Sequence, residues 1–118
     1  MLSIIIPSYK DPLLQRTIDD ILEKAQGDIE IIVVLDGYIA QKRIKEDPRL
    51  RIISYKENHG MRAAINAGAA AAKGEYIMKT DEHCAFDRGF DVALLSQIED
   101  DWIVTPRRFK LDTDKWRV

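Results

Sequence analysis

The chain has 118 residues, of which 46% are hydrophobic and 32% are charged, and its formal net charge at pH 7 is −2. A chain of this length and composition is expected to fold as one globular domain, residues 1–118, with a sizeable buried core. The nearly balanced charge provides no general attraction to nucleic acid or to a membrane surface. The single cysteine, Cys84, excludes an internal disulfide.

We expect no export signal in the amino-terminal segment. Residues 1–7 form too short an apolar run for a signal-peptide core, and no apolar run has the length of a membrane span. One cysteine also gives no support for an oxidising compartment. We therefore expect a cytoplasmic protein with no transmembrane segment and no nucleic-acid partner.

The first strand and helix are predicted from residues 2–27. Residues 2–7 are a nearly continuous apolar run rich in isoleucine, which is typical of a strand covered on both faces. Asp11 before Pro12 predicts the N-cap of a helix, and apolar residues then recur at helical spacing until Gly27.

Three further elements are predicted before residue 56. Residues 29–35 have the same apolar character as the first strand and predict a second one. Residues 39–46 predict a short helix that ends before Pro48, because the residue preceding proline avoids the helical region. Residues 50–55 predict a third strand.

The second half begins with the strongest helical signal in the chain. Residues 61–73 are so rich in alanine that they predict a helix ended by Gly74. Residues 75–79 then predict a strand, residues 87–97 a helix and residues 102–105 a final strand. The alanine-rich helix has a face of small residues that would let it lie close on a sheet, namely Ala63, Ala64, Ala67, Gly68 and Ala71.

This alternation of strands and helices predicts an α/β fold with a largely parallel sheet. Ligands of such open sheets bind beyond the carboxyl ends of the strands. Four polar clusters follow the predicted strands there, and we call them together the carboxyl edge. They are Pro7, Ser8 and Tyr9; Asp36 and Gly37; Asn58, His59 and Gly60; and Asp81, Glu82 and His83.

The cluster after the fourth predicted strand has the side chains of a metal site. Asp81 and His83 are two residues apart, so on an extended segment they point to the same side and can share one divalent cation. Carboxylate oxygen with imidazole nitrogen suits Mn²⁺, or Mg²⁺ with water completing the shell, and such an ion would neutralise a diphosphate. The alternative is that Asp81 caps a turn and His83 is an ordinary surface histidine.

The turn before the alanine-rich helix has the features of a phosphate site. Asn58 and Gly60 lie at the helix N-terminus, where backbone amides and the helix dipole favour an anion, and Arg62 could add charge. Ordinary helix capping is the alternative, and it is the favoured role for Arg62. Asp36 could accept a hydrogen bond from a ribose hydroxyl or a base edge, or could simply open an Asp-Gly turn.

Several common nucleotide and hydrolase signatures do not occur. No Gly-x-Gly-x-x-Gly follows the first strand, and there is no Walker phosphate loop, nucleophile elbow or clustered zinc spacing. The usual dinucleotide-binding fingerprint is therefore excluded. A nucleotidyltransferase is disfavoured too, because residues 7–11 lack a glycine-rich basic loop.

Four blocks of sequence, taken in order, resemble the inverting family 2 glycosyltransferases of the Rossmann-like GT-A fold. They are Ser-Ile-Ile-Ile-Pro-Ser-Tyr at residues 3–9, Val-Val-Leu-Asp-Gly at 33–37, Asn-His-Gly at 58–60 followed by Ala64, Asn66 and Gly68, and Ala-Lys-Gly-Glu-Tyr-Ile at 72–77. The resemblance extends over residues 2–88. The usual metal motif there is Asp-x-Asp, whereas Asp-x-His followed by cysteine is similar to the polypeptide N-acetylgalactosaminyltransferases, whose histidine binds manganese.

The resemblance implies transfer of a sugar from a nucleoside-diphosphate donor, commonly a uridine diphosphate (UDP) sugar, to a hydroxyl acceptor. It assigns Asp81 and His83 to the metal-bound diphosphate. A non-catalytic module that binds the nucleotide sugar is the alternative. The other nucleotide-binding residues that it implies are Pro7, Ser8, Tyr9, Asp36, Asn58, Gly60 and Arg62.

An inverting transfer also needs a general base to deprotonate the acceptor hydroxyl. In the family this carboxylate lies in the second half of the domain, and the sequence does not select one. A fragment, a compact form, or an acceptor site completed by a second copy or a partner chain would each fit this length. The candidate bases are Glu99, Asp100, Asp101, Asp112 and Asp114.

Overall fold

A computed structural model describes residues 1–40, 43–100 and 102–118. The described residues form a sheet of four parallel strands, in the order β3-β2-β1-β4, with helices on both faces. The predicted α/β fold with a parallel sheet is confirmed. The elements are β1 (Leu2–Ser8), α1 (Leu14–Lys24), β2 (Ile29–Asp36), β3 (Leu50–Tyr55), α2 (Met61–Ala71), β4 (Tyr76–Lys79) and α3 (Phe90–Leu95).

The strand order changes direction at β1. The chain places β2 and β3 on one side of β1 and then returns to place β4 on the other side. The carboxyl ends of β1 and β4 therefore flank a topological switch point, which is where open parallel sheets bind ligands. β4 ends where Lys79 pairs with Ile5, so Pro7 lies beyond the end of β4, and its missing N–H removes no hydrogen bond to that strand.

The larger core lies between the sheet and helices α1 and α3. Leu14, Ile18 and Ile21 recur at helical spacing on α1 and are buried against one face of β1 and β2, and Phe90 of α3 joins them. The opposite face of β2 packs against α2. Because both faces are covered, all residues of β1 and β2 are buried, which explains their nearly continuous apolar sequences.

Helix α2 lies unusually close to β1. Ala64 is fully buried, and a Cβ atom added at Gly68 would lie only 2.5 Å from Ile5 Cγ2. The small face predicted for this helix is therefore present, and it allows the helix to contact both β1 and β2. Any side chain at Gly68 would push α2 away from the sheet.

A buried carboxylate joins the strands at the amino end of the sheet. Glu30 accepts hydrogen bonds from Ser3 Oγ (2.6 Å), from the Lys73 amide (2.6 Å) and from Arg51 Nη2 (2.8 Å). Burial alone would raise the pKa of Glu30, but these donors outweigh it and hold the pKa below its ordinary value. Glu30 thereby ties β1, β2 and β3 to the segment between α2 and β4.

Helix α1 begins later and ends earlier than the sequence predicts, at Leu14 and Lys24. The N-cap position belongs to Leu13 rather than Asp11. Asp11 instead builds the preceding turn: its Oδ1 accepts the Leu13 amide at 2.8 Å, and its carbonyl accepts the Leu14 amide at 3.4 Å. The prediction that Asp11 is the helix N-cap is therefore wrong. Pro12 and Leu13 form a turn, so the helix begins after them and Asp11 binds the amides of that turn.

The predicted helix over residues 39–46 is absent from the described residues 39–40 and 43–46, while Gln41 and Lys42 lie outside the described residues. Ile39 is 92% exposed, whereas Ile44 packs against the main core. A helix in this segment would therefore have no continuous apolar face to bury, and propensity alone does not stabilise one.

The predicted strand over residues 102–105 is also wrong, since these described residues form no strand. Ile103 is 96% exposed and pairs with no neighbouring strand. Beyond it, the described residues form only an isolated antiparallel bridge between Asp112 and Arg117. A run of β-forming residues needs a partner strand to become part of a sheet.

Two other predicted elements are present but shorter, as β4 and α3. None of the helices in the described parts of the chain combines the length and apolar character needed to cross a lipid bilayer.

Gly68→Ala should destabilise the protein, although alanine favours helices more than glycine does. The added methyl group would overlap Ile5, and such overpacking costs about 1–3 kcal/mol of unfolding free energy. Ala70→Gly, at an exposed position of the same helix, should cost about 1 kcal/mol through helix propensity alone. Urea unfolding of both variants checks this, and a stabilised Gly68→Ala variant would contradict the close packing.

Glu30→Gln should lower the free energy of unfolding by about 1–3 kcal/mol at neutral pH, because a buried charged acceptor is lost. The folded-state pKa lies below the ordinary 4.5, so this stabilisation is complete above that value and disappears as the pH falls through the folded-state pKa. Urea unfolding from pH 7 down to acid should therefore show the wild type converging on Glu30→Gln. Glu57→Gln, an exposed control, should show no such convergence.

Candidate functional site

The structure links the carboxyl ends of β1 and β4 through Glu82, the middle residue of the Asp-Glu-His cluster. The Glu82 carboxylate accepts a short hydrogen bond from Ser8 Oγ and a further one from the Tyr9 amide at 3.1 Å. Its backbone carbonyl accepts a hydrogen bond from Thr17 Oγ1 at 2.9 Å. Glu82 is therefore held through both its side chain and its main chain, a role that the sequence did not reveal.

Tyr38 extends this link to the loop that follows β2. Its hydroxyl shares a short hydrogen bond with Ser8 Oγ. Burial raises the pKa of the Tyr38 phenol, and the nearby Glu82 charge adds to the increase. Because Ser8 gives its one proton to Glu82, Tyr38 donates to Ser8, and the chain runs from Tyr38 through Ser8 to Glu82.

The other two predicted residues of β1 and its following loop differ strongly in accessibility. Pro7 is buried within the strand, whereas Tyr9 is 48% exposed. The Tyr9 ring meets the Tyr38 ring edge to face, with 6.0 Å between the centroids. Tyr9 thus presents an aromatic surface at the carboxyl edge, while Pro7 can contribute only through its backbone or by shaping the strand.

Asp36 organises the turn that precedes α2. Its buried carboxylate accepts the His59 amide at 2.8 Å and the Gly60 amide at 2.9 Å, and its carbonyl accepts Asn58 Nδ2 at 3.3 Å. Gly37 is required beside it, since its φ is 82° and a Cβ atom would lie 2.3 Å from the Asn58 amide nitrogen.

Asp36 occupies backbone amides that the predicted phosphate site at the α2 N-terminus would use. Two of the amides expected to face a phosphate already donate to the Asp36 carboxylate, which supplies the anion that the helix start favours. Arg62 is exposed in the first turn of α2. The nucleotide-binding roles of Asp36, Asn58, Gly60 and Arg62 remain predictions.

Each of the two predicted metal ligands contacts an ionisable side chain: Lys79 for Asp81 and Asp11 for His83. Asp81 Oδ1 bonds to Lys79 Nζ, and this hydrogen bond holds the pKa of Asp81 below its ordinary value against the opposing effect of partial burial. His83 is 54% exposed, and its Nδ1 lies 2.8 Å from Asp11 Oδ2. Within the described residues, no group of three or more His, Cys, Asp or Glu side chains is arranged around a common metal position.

Helix α1 holds the segment after β4 through polar residues on its buried side. Thr17 Oγ1 donates to the Glu82 carbonyl and accepts the Cys84 amide at 3.1 Å. One turn further along, Asp20 Oδ2 accepts the Phe86 amide at 2.6 Å. Thr17 and Asp20 occupy buried positions of an otherwise apolar helix face, and that interruption is the signal by which the sequence could have revealed them.

The candidate general bases lie outside this hydrogen-bonded group. Asp100 Oδ1 accepts the Tyr76 hydroxyl at 3.4 Å, and Asp112 accepts the amides of Asp114 and Lys115. In the part of the chain that the structure describes, neither these residues nor Glu99 forms a hydrogen bond to the carboxyl edge. Asp101 lies outside the described residues.

A parallel α/β sheet with polar side chains at its switch point is an architecture that binds ligands at that edge. The model of glycosyl transferase family 2 matches residues 3–117, and the chain belongs to this family. The predicted family, with its Rossmann-like GT-A fold, is therefore confirmed.

The chain is similar to several curated proteins, and it spans between 9% and 24% of the length of the three that follow. It is 40% identical over 84 residues to the uncharacterized glycosyltransferase EpsJ of Bacillus subtilis, covering 65% of this chain and 24% of that protein. It is 35% identical over 88 residues to the chondroitin synthase of Pasteurella multocida, covering 69% and 9%. It is 28% identical over 109 residues to polypeptide N-acetylgalactosaminyltransferase 12 of Mus musculus, covering 83% and 19%.

Thr17→Val should loosen the segment that carries residues 82–84. The change preserves side-chain shape but removes one hydrogen-bond donor and one acceptor, each worth about 1 kcal/mol. The thiol of Cys84 reports on this segment, so its rate of modification by a thiol reagent should rise relative to the wild type. Thr105→Val, at an exposed position, should leave the rate unchanged, and equal rates in all three proteins would contradict the anchoring role.

Proposed function

We propose that this chain binds a nucleoside-diphosphate sugar, with UDP as the nucleotide, and contributes to transfer of the sugar to a hydroxyl acceptor. The observation that carries the proposal is the gathering of Ser8, Tyr9, Asp81 and His83 around the switch point between β1 and β4. Membership of a glycosyltransferase family supports the reaction class. The same proposal includes a general base among the candidate carboxylates. It also includes a second copy of the chain, or a partner chain, that completes the acceptor site.

The nucleoside is assigned to the β1 and β2 side of the carboxyl edge. The exposed ring of Tyr9 offers a surface on which a base can stack, and Tyr38 supports that ring from its edge. The Asp36 carboxylate is buried and already accepts two amides, so it acts on the ribose chiefly by holding the adjoining turn. Ser8 likewise acts through Glu82 and Tyr38, which use its hydroxyl.

The diphosphate is assigned to the β4 side, with Mn²⁺ or Mg²⁺ held by Asp81 and His83. The donor set fits such an ion, because a carboxylate oxygen and an imidazole nitrogen lie on one exposed segment. Only Oδ1 of Asp81 is used by Lys79 among the described residues, which leaves Oδ2 for a cation. When bound, the ion would supply charge neutralisation to the departing diphosphate.

The residues of this chain contribute position rather than reactive groups. Glu82 holds the segment between Asp81 and His83 against the end of β1, and Thr17 holds it against α1. Two ligands carried on a segment anchored at both sides can bind a cation with little loss of conformational entropy.

A binding module without turnover is the second candidate. It is favoured because the candidate bases in the described residues form no hydrogen bond to the carboxyl edge. Both functions require nucleotide binding at the same site, so they differ only in whether the bound donor is consumed.

Calorimetric titration of UDP into the chain, with Mn²⁺ and again with a chelator, tests the proposal. The wild type should bind UDP more tightly with Mn²⁺, and Asp81→Asn or His83→Ala should remove that difference while thermal unfolding stays close to that of the wild type. Loss of a direct ligand should exceed the roughly 10–100-fold effect typical of outer partners. A UDP affinity that is independent of Mn²⁺ would sink the metal assignment.

Asp28→Asn is a matched control, because it removes one exposed carboxylate just before β2, at the end of the sheet opposite the carboxyl edge. It should bind UDP as the wild type does. Hydrolysis of a UDP sugar by the wild type, and its absence in Asp81→Asn, would favour the enzyme. Tight binding with no consumption of any donor would favour the binding module.

A further inference from the structure

His83 is oriented by a carboxylate from a distant part of the sequence. Its Nδ1 lies 2.8 Å from Oδ2 of Asp11, which belongs to the loop between β1 and α1. The Asp11 side chain is 21% exposed, whereas that of His83 is 54% exposed. The pair therefore has one partner set into the protein and one extending from it.

Asp11 is fixed from its other side by the start of α1. Its second oxygen, Oδ1, accepts the Leu13 amide at 2.8 Å, and its carbonyl accepts the Leu14 amide at 3.4 Å. The carboxylate cannot turn without breaking the contact to Leu13. Oδ2 is therefore presented to His83 in a set direction.

The backbone of His83 is held as firmly. The residues on both sides of it, Glu82 and Cys84, are bound to the hydroxyl of Thr17 at 2.9 and 3.1 Å. Thr17 lies on α1, the same helix whose first turn follows Asp11. Hydrogen bonds to α1 and to the turn before it thus hold both members of the pair.

The chemistry of the pair determines which ring nitrogen carries the proton. A carboxylate accepts hydrogen bonds and donates none, so the hydrogen between the two groups belongs to Nδ1 of the neutral imidazole. The lone pair of the ring is then on Nε2. A histidine that binds a metal through one nitrogen commonly donates the other N–H to a carboxylate, which fixes the tautomer.

We propose that Asp11 is a positioning residue that keeps the His83 proton on Nδ1 and so makes Nε2 the nitrogen that binds the divalent cation. The inference rests on the proposed function of the Asp81 and His83 site and adds a residue that the sequence motif does not contain. Its role is distinct from that of Lys79, which forms an ion pair with Asp81.

Asp11→Asn tests the inference with almost no change in shape. The Leu13 amide still requires an acceptor, so the asparagine oxygen stays on Leu13 and its amide group faces His83. Nδ1 must then accept a hydrogen bond, and the ring proton moves to Nε2. Nitrogen-15 chemical shifts of the imidazole, followed upward in pH until the spectra show one neutral ring, should show the exchange of tautomers without any metal present.

The same substitution should weaken Mn²⁺ binding by about 10–100-fold, measured by electron paramagnetic resonance with UDP present. In a His83→Ala background it should cause no further loss, because the two residues act through one nitrogen. Asp19→Asn removes an equal charge from the exposed side of α1 and should change neither the tautomer nor the Mn²⁺ affinity. His59, the other histidine, is the internal reference in the spectra.

A proton on Nε2 of His83 in the wild type would overturn the inference, as would an unchanged tautomer in Asp11→Asn. If UDP binding by the wild type depends on Mn²⁺ but Asp11→Asn binds Mn²⁺ equally well, the positioning role fails and the metal site stands. If UDP binding by the wild type does not depend on Mn²⁺ at all, the metal site fails and this inference fails with it.

Discussion

The carboxylate of Glu82 is the interaction on which the candidate site depends. Backbone pairing between β1 and β4 ends with the hydrogen bond from the Thr80 amide to the Ile5 carbonyl, and beyond it the two segments are no longer paired. Glu82 bridges the gap by accepting the Ser8 hydroxyl and the Tyr9 amide. An opening between parallel strands exposes unpaired polar backbone, and here a side chain satisfies part of it. The sheet can therefore open at its switch point without losing its order.

Two other carboxylates also satisfy backbone donors, in the turns that precede helices α1 and α2. Asp36 binds the amides before α2, and Asp11 binds an amide before α1. In each case an acidic residue at or shortly after the end of a strand turns the chain and satisfies backbone donors. They differ in what remains available: Asp36 is buried with both oxygens bound to amides, while Asp11 keeps one oxygen for His83. A single residue type thus serves a closed turn in one place and an outward contact in another.

The parts of the fold that the sequence predicted correctly are those set by local pattern. The apolar runs of β1 and β2 and the alanine content of α2 reflect burial directly, and the ordered motifs identified the family. The helix over residues 39–46 and the strand over 102–105 failed, because local propensity cannot supply a face to cover or a strand to pair with. The role of Glu82 was not predictable either, since spacing brought out its neighbours Asp81 and His83, and only the tertiary structure shows which side chain reaches β1.

The pairing of β1 with β4 has a consequence for how the site assembles. Leu2 pairs with Tyr76, a much longer separation along the chain than those joining β1 to β2 or β2 to β3. Closing so long a loop has the largest entropic cost of the strand pairings in this sheet. The pairing that offsets this cost comes from a strand of only four residues. Residues 81–83 follow this strand after Thr80, so a transient detachment of β4 would break the contacts between Glu82 and the end of β1. Local unfolding of β4 would therefore disrupt the site while β1, β2 and α1 remain folded.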